Sequence, residues 1–164
     1  MSLPDEMLIF IVEDDPQYMH ALQHSLEQRH FSNIKTFASG EECLENIDEK
    51  PTIVLLDFLL GEGKMNGLQV LKEIKKFSPQ TQVVFLTGLE KLEIALETVK
   101  NGAYDYVVKN EAAFERIRNL LKRIAFEGQI REENLRLKKG RKIIGIVIAL
   151  LLIGIFTLLF LQLR

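Results

Sequence analysis

Segments of strand length recur along the first 110 residues, separated by longer amphipathic segments. The strand-like segments lie at 7–12, 33–37, 53–56, 82–86 and 105–108. The runs at 7–12 and 53–56 are wholly apolar, which is typical of parallel strands buried on both faces. The intervening segments carry apolar residues at helical spacing, such as Met19, Leu22 and Leu26. Strands that alternate strictly with helices predict a doubly wound α/β fold, with helices on both faces of a parallel sheet.

Capping residues mark where several helices begin. Asp15 followed by Pro16 predicts the start of the first helix, because proline suits the first helical position and aspartate caps it. Ser39 begins a capping box with Glu42, three residues later. The remaining helices are predicted from Gly67, from about 89 to 101, and from 111 to 124.

Polar residues follow four of the predicted strands directly. They are Glu13 and Asp14 after the first strand, Asp57 after the third, Thr87 after the fourth and Lys109 after the fifth. The carboxyl ends of parallel strands lie along one edge of a sheet, so these groups are expected to converge. Three clustered carboxylates need a cation, and an all-oxygen cluster suits Mg²⁺. With a hydroxyl and an ammonium group beside them, the set predicts a phosphoryl-accepting aspartate.

Other site chemistries fit the sequence less well. Enzymes that use a strand-end aspartate nucleophile to hydrolyse phosphate esters normally carry a second aspartate two residues later, where this chain has Leu59. His20 and His24 are one helical turn apart, as metal ligands can be, but they fall on the predicted solvent face of the first helix. A single strand-end aspartate also commonly caps a helix or a turn, so the assignment of Asp57 as a site residue depends on the polar groups expected around it.

These residues resemble the receiver domain of bacterial two-component response regulators. The resemblance covers about Met7 to Ile124 and is carried by five motifs: Ile-Val-Glu13-Asp14-Asp15-Pro16, Leu-Leu-Asp57, Met65-Asn-Gly67, Phe-Leu-Thr87-Gly88 and Gly102-Ala-Tyr-Asp-Tyr106-Val-Val-Lys109. The resemblance implies a flavodoxin-like sheet of strand order 2-1-3-4-5. It also implies that Asp57 takes a phosphoryl group from a histidine kinase or a phosphotransfer protein.

The resemblance assigns roles to the other site residues. Asp14 and Asp57 would bind Mg²⁺ with the backbone carbonyl of Leu59, and Glu13 would bind it through water. Thr87 and Lys109 would contact the phosphoryl oxygens, and Tyr106 would change rotamer with Thr87 to report phosphorylation. The protein would be a phosphoacceptor with at most slow self-dephosphorylation, rather than an enzyme.

Three features depart from the family pattern. Asn110 follows Lys109 where the family usually has proline, often after a cis peptide; without proline, the loop is expected to be trans or strained. The loop after Asp57 is longer than usual and carries Gly61 and Gly63, so it is expected to be mobile. Leu59 and Leu89 are apolar at positions that adjust the attack of water on the phosphoaspartate, and we hypothesise that they lengthen its lifetime.

The C-terminal part of the chain has a different composition. Residues 143–163 contain no charged side chain, and as a helix they would be about 31 Å long, close to the thickness of a bilayer core. They are predicted to be a transmembrane helix, after a receiver at 7–125 and a charged connector at 126–142 in which Gly128 and Gly140 favour flexibility. Basic residues precede the span, so the predicted location is the bacterial inner membrane, single-pass, with the receiver on the cytoplasmic side.

Charge and cysteine content restrict the partners. The first 125 residues are acidic on balance, which argues against nucleic-acid binding by that part, and the single cysteine fits a reducing compartment. The predicted function is a membrane-tethered receiver that signals through an unidentified downstream protein, with contacts to membrane lipid and with homodimer formation left open. The alternative is a receiver scaffold that never takes phosphate and only tethers a partner at the membrane.

Overall fold

A computed structural model describes residues 7–61, 63–88 and 92–162. The chain divides into two compact units, Met1–Ala125 and Phe126–Arg164. The first unit contains a five-stranded parallel sheet of order β2-β1-β3-β4-β5. Its strands are β1 (Ile9–Val12), β2 (Ile34–Phe37), β3 (Ile53–Asp57), β4 (Gln82–Thr87) and β5 (Asp105–Val108). The predicted fold class and strand order are confirmed for this unit.

Five α-helices connect and cover the strands. They are α1 (Pro16–Glu27), α2 (Gly40–Glu45), α3 (Gly67–Phe77), α4 (Leu92–Lys100) and α5 (Ala113–Gln162), with a short 3₁₀ turn at Ile47–Glu49. The side chain of Asp15 caps α1 by accepting from the backbone N–H groups of Gln17 and Tyr18, as the sequence predicts. The predicted start of α4 falls on residues 89–91, which lie outside the described residues.

Alternate residues of the strands build two cores, one on each face of the sheet. On one face the strands pack against α1 and α5, through residues such as Leu22 and Ile117. On the other face they pack against α2 and α3, through Cys43, Val70 and Ile74. All four residues of β1 and all five of β3 are buried. Burial on both faces makes the central strands a rigid base for the groups that follow them.

Strand β2 forms one edge of the sheet. It is less buried than the central strands, and among the described residues it pairs only with β1, in parallel. Lys35 is exposed in this strand and forms a 2.6 Å ion pair with Glu49.

The predicted end of the last helix at Ile124 is wrong. Helix α5 continues without interruption to Gln162, so the segment expected to be a flexible connector is helical. Gly128 and Gly140 do not interrupt the helix, and a Cβ added at either would meet nothing within 4 Å. A single glycine in a helix interior costs only about 1 kcal/mol, which the helix formers around it offset.

The predicted location in the bacterial inner membrane is also wrong. Throughout the described residues, no helix is long and apolar enough to cross a membrane. The charged residues of 126–142 belong to α5. Most side chains of the predicted span 143–163, and Leu163 itself, lie outside the described residues.

Candidate functional site

The parallel register brings the predicted site residues to one edge of the sheet. Val12 pairs with Leu56, so the residues that follow them, Glu13 and Asp57, leave the sheet side by side. On the other side of β3, Thr87 closes β4 and its carbonyl accepts a 2.7 Å hydrogen bond from the backbone N–H of Lys109. The groups therefore stand on neighbouring strand ends.

Three carboxylates meet at this edge. Glu13, Asp14 and Asp57 each offer an oxygen atom, and these three atoms all lie within 4.8 Å of one another. Glu13 is 1% exposed and Asp57 is 6% exposed, whereas Asp14 is open to solvent. Like charges this close repel one another strongly in a partly buried place, so the arrangement requires positive charge nearby.

Lys109 supplies positive charge to the cluster. Its ammonium Nζ donates a 2.7 Å hydrogen bond to Asp57 Oδ2 and lies 2.6 Å from Glu13 Oε2 in an ion pair. Burial lowers the pKa of Lys109, but its hydrogen bonds and charge attraction to Asp57 and Glu13 outweigh burial and raise the pKa above the usual lysine value. Lys109 therefore stays charged at neutral pH.

Glu13 is the most perturbed of the acids. Burial raises the pKa of its carboxyl, the contact with Lys109 opposes that rise, and the charge of Asp57 adds to it, with a result of about 7. Glu13 Oε2 meets the Lys109 ammonium as an ion pair, 2.6 Å away. Glu13, Asp14 and Asp57 together form an all-oxygen cluster, and such a set of ligands fits a hard divalent cation such as Mg²⁺.

Asp57 is held by its own loop. The backbone N–H of Leu59 donates to Asp57 Oδ1 at 3.3 Å, and the N–H of Phe58 donates to the carbonyl of Leu86 at 3.0 Å. Gly67, the first residue of α3, passes close to the same strand end. A Cβ added at Gly67 would lie 2.5 Å from the carbonyl oxygen of Asp57, so this position has no room for a side chain.

The second half of the loop after Asp57 is anchored to the start of α2. The backbone N–H of Met65 donates to Glu41 Oε1 at 2.8 Å, and Lys64 Nζ donates to the carbonyl of Ala38 at 3.1 Å. Gly61 and Gly63 both have positive φ, which only glycine adopts without strain. The contacts of Lys64 and Met65 with the start of α2 were not revealed by the sequence.

Asn110 replaces the family proline without a cis bond. The peptide bond between Lys109 and Asn110 is trans. The Asn110 side chain accepts a 3.0 Å hydrogen bond from the backbone N–H of Ala112, and its carbonyl accepts one from Ala113. Asparagine thus builds the turn that leads into α5.

The structure brings most of the predicted site residues together. Glu13, Asp14, Asp57 and Lys109 are joined by the distances given above. Thr87 is buried beside Lys109, the N–H of Leu59 reaches Asp57, and half-buried Tyr106 packs in the core of the α2 and α3 face. Leu89 lies outside the described residues. His20 and His24 are exposed on α1, as predicted.

One residue at the site was not singled out in the sequence. The ring of Tyr18 lies over the Lys109 ammonium, with 4.6 Å between Nζ and the ring centroid. Tyr18 lies one helical turn before Leu22, on the face of α1 that the sequence predicts to be buried. Its position in the helix therefore predicts a packing residue, like Leu22, rather than a site residue. Its place in the first turn of α1, just past the acidic pair, was the available signal.

Comparison with known proteins identifies the family. The family model described as the response regulator receiver domain matches residues 9–122. An NtrX-like response regulator from Rickettsia bellii (strain RML369-C) is 34% identical over 139 residues, which cover 84% of this chain and 28% of that protein. The chain thus spans little more than a quarter of this relative.

Solved receiver structures share the fold. The BeF3-activated DrrB receiver domain is 32% identical with a TM-score of 0.64, over 72% of this chain and 97% of that one. A response regulator from Burkholderia pseudomallei, solved with a phosphorylated aspartic acid, calcium ion and citrate, is 26% identical with a TM-score of 0.64, over 77% of this chain and 73% of that one. This chain belongs to the response regulator receiver domain family.

Proposed function

We propose that this chain accepts a phosphoryl group on Asp57 from a histidine kinase or a phosphotransfer protein. Receiver domains take phosphoryl groups from such donors. The observation that supports the assignment to this aspartate is its surroundings: Lys109 Nζ at 2.7 Å, and two further carboxylates whose oxygens come within 4.8 Å. The phosphorylated aspartic acid in the Burkholderia pseudomallei relative is consistent with the same chemistry.

The proposed step is a phosphoryl exchange. A carboxylate oxygen of Asp57 attacks the phosphorus of the donor, the new O–P bond forms, and the P–N bond to the donor histidine breaks with its electron pair going to the imidazole. In a separate hydrolytic step, water attacks the phosphorus of the acyl phosphate, the O–P bond to Asp57 breaks, and inorganic phosphate and the free carboxylate are released. The protein is a stoichiometric phosphoacceptor that at most slowly removes its own phosphate.

Residues at the edge of the sheet divide the work. Lys109 and the hydroxyl of Thr87 bind the phosphoryl oxygens and balance their charge. Receiver domains bind Mg²⁺ in an acidic pocket, and here Glu13, Asp14, Asp57 and the carbonyl of Leu59 would hold it. The ion would supply additional positive charge beside the phosphoryl oxygens.

The signal is proposed to leave through protein contacts. Tyr106 lies on β5, two residues before the end of that strand, and would change rotamer together with Thr87 when Asp57 is phosphorylated. Such a change would alter the surface formed by α4, β5 and the first turns of α5. A downstream protein that reads this surface would be the output partner.

Acetyl phosphate provides the direct test. The full chain is incubated with acetyl phosphate and Mg²⁺, and intact mass is measured. We expect one added phosphoryl group on the wild type and none on Asp57→Asn. Asp48→Asn, which removes an exposed carboxylate from the 3₁₀ turn, is the matched control and should behave as the wild type.

The same experiment separates the alternative. If the wild type gains no phosphate while an established receiver does so in parallel, the phosphoacceptor proposal is refuted. The chain would then be a receiver scaffold that binds its partner without phosphate turnover.

A further inference from the structure

Tyr18 joins the site through two elements of the fold. It lies in the first turn of α1, where its backbone N–H donates to the Asp15 cap at 3.3 Å. Its ring packs edge-on against Phe114 of α5, with 5.4 Å between the ring centroids. The ring is thus fixed from one side by the loop of the acidic pair and from the other by the helix that follows Lys109.

The face of this ring covers the ammonium of Lys109. The Nζ atom lies 4.6 Å from the ring centroid and within 2.7 Å of oxygens of both Glu13 and Asp57. A cation over an aromatic face is attracted by the ring quadrupole, and this attraction grows when water is excluded. The side chain of Lys109 is only 17% exposed, so the ring replaces part of the water that would otherwise surround the ammonium.

The hydroxyl of Tyr18 is not what holds it there. The oxygen is buried and has no hydrogen-bond partner among the described residues. Burial raises the pKa of this hydroxyl, and the nearby charges of Glu13 and Asp57 raise it further, so it stays protonated. The ring therefore makes the contact that matters, and a phenylalanine would make it as well.

We infer that Tyr18 is a positioning residue for phosphoryl transfer: its ring holds the Lys109 ammonium against Asp57, where the phosphoryl oxygens arrive. This inference rests on the proposed function of Asp57. It gives α1 a role in phosphoryl transfer: an aromatic ring that holds the lysine ammonium in place, which none of the polar strand-end residues provides. A purely structural Tyr18 would fill space between α1 and α5 and would have no specific link to Lys109.

A double-mutant cycle distinguishes the two roles. Phosphorylation rates with acetyl phosphate and Mg²⁺ are measured for the full chain carrying Tyr18→Leu, Tyr18→Phe, Lys109→Ala, and Tyr18→Leu with Lys109→Ala. We expect Tyr18→Leu to slow phosphorylation about fivefold and Tyr18→Phe to stay within about twofold of the wild type. In the Lys109→Ala background, Tyr18→Leu should cause no further slowing.

Tyr104→Leu is the matched control. Tyr104 also carries a cation over its ring, with Arg123 at 5.0 Å from the centroid, but it lies just before β5, at the end of the sheet opposite the acidic cluster. Replacement of Tyr104 should leave the phosphorylation rate unchanged. The control thus shows that the effect requires the Tyr18–Lys109 pair and not merely the loss of a tyrosine–cation contact.

A spectroscopic readout tests the contact without phosphate. Ring currents of Tyr18 should shift the ε-methylene protons of Lys109 upfield, in the wild type and in Tyr18→Phe but not in Tyr18→Leu. The positioning role alone would be overturned if Tyr18→Leu slowed phosphorylation equally in the wild type and in Lys109→Ala. It would also be overturned if the chemical shift of the Lys109 ε-methylene protons were the same in Tyr18→Leu and in the wild type. A wild type that takes no phosphate would instead overturn the proposed function and this inference with it.

Discussion

Gly67, the first residue of α3, lies close against strand β3, which carries Asp57. Its backbone N–H donates to the carbonyl of Phe58 at 3.0 Å, and a Cβ would be 2.8 Å from the ring of Phe85 as well as 2.5 Å from the Asp57 carbonyl. The sequence pattern Met65-Asn-Gly67 indicated the start of a helix. The structure adds a steric reason for glycine at that place.

Gly67→Ala is expected to lower the free energy of unfolding by about 1–3 kcal/mol, because the added methyl group must displace backbone and a packed ring. Chemical denaturation measures this loss. Gly128→Ala is the matched control, since a Cβ there meets nothing and alanine favours a helix by about 1 kcal/mol. Equal stability of the Gly67→Ala and wild-type proteins would contradict the close approach.

Leu59 is the residue whose side chain stands in solvent beside the phosphoacceptor. It is 56% exposed, although its own N–H is bonded to Asp57. Under the shielding hypothesis, an apolar group at this point would exclude water from an acyl phosphate on Asp57 without offering that water a hydrogen bond.

Leu59→Asn is expected to shorten the lifetime of the phosphorylated form, because the amide can orient the attacking water. The lifetime is followed by intact mass after removal of acetyl phosphate. Leu96→Asn, at a similarly exposed leucine of α4, serves as the control and should leave the lifetime unchanged. Indistinguishable decay of the Leu59→Asn and wild-type forms would remove the shielding hypothesis.

Helix α5 extends well beyond its predicted end because of the helix propensity of its residues. It was predicted to end at Ile124, before a charged connector that contains Gly128 and Gly140. The structure continues the helix because helix formation does not need an apolar face once enough good helix formers are present. An apolar pattern predicts what packs, and it does not by itself predict where a helix ends.

Gly128→Pro is expected to break α5, since proline removes a hydrogen bond and clashes with the preceding turn at a cost of about 3 kcal/mol or more. Circular dichroism should show lower helix content than for the wild type. Gly128→Ala at the same position should keep or raise it. Unchanged helix content in the proline variant would mean that residues after 128 are not helical in solution.

The five strands were accessible from the sequence as short strand-like segments, four of them followed directly by polar residues, and their order followed from the resemblance to receiver domains. The positions of Glu13, Asp14, Asp57, Thr87 and Lys109 followed from topology, since strand ends of a parallel sheet share an edge. Contacts between side chains distant in the sequence did not follow. The ring of Tyr18 over Lys109, and the bond between Glu41 and Met65, depend on three-dimensional approach that no local pattern encodes.

The clustered carboxylates at the edge of the sheet suit the proposed chemistry but lower the stability of the first unit. Glu13 and Asp57 are largely buried and close together, which costs free energy unless a cation accompanies them. Lys109 is that cation in this structure. Any divalent ion that binds only the folded form would stabilise the whole unit further by mass action.

Lys109→Met is expected to lower the free energy of unfolding by about 3–5 kcal/mol without Mg²⁺, because two buried carboxylates lose their counter-charge. Saturating Mg²⁺ should recover part of this loss, as measured by chemical denaturation with and without the ion. Lys76→Met removes an exposed pair with Glu73 and should change stability by less than about 0.5 kcal/mol. Similar losses for the two variants would show that Lys109 does not balance the cluster.

The outer strand β2 has a consequence for behaviour at high concentration. A free strand edge can serve as a template on which another chain adds a strand, and a lysine in the edge is a common protection against such growth. Lys35 holds that position and is kept there by Glu49. Replacing Lys35 with isoleucine would leave the fold intact while making crowded preparations prone to sheet-to-sheet aggregation, so the ion pair acts as a safeguard of monodispersity.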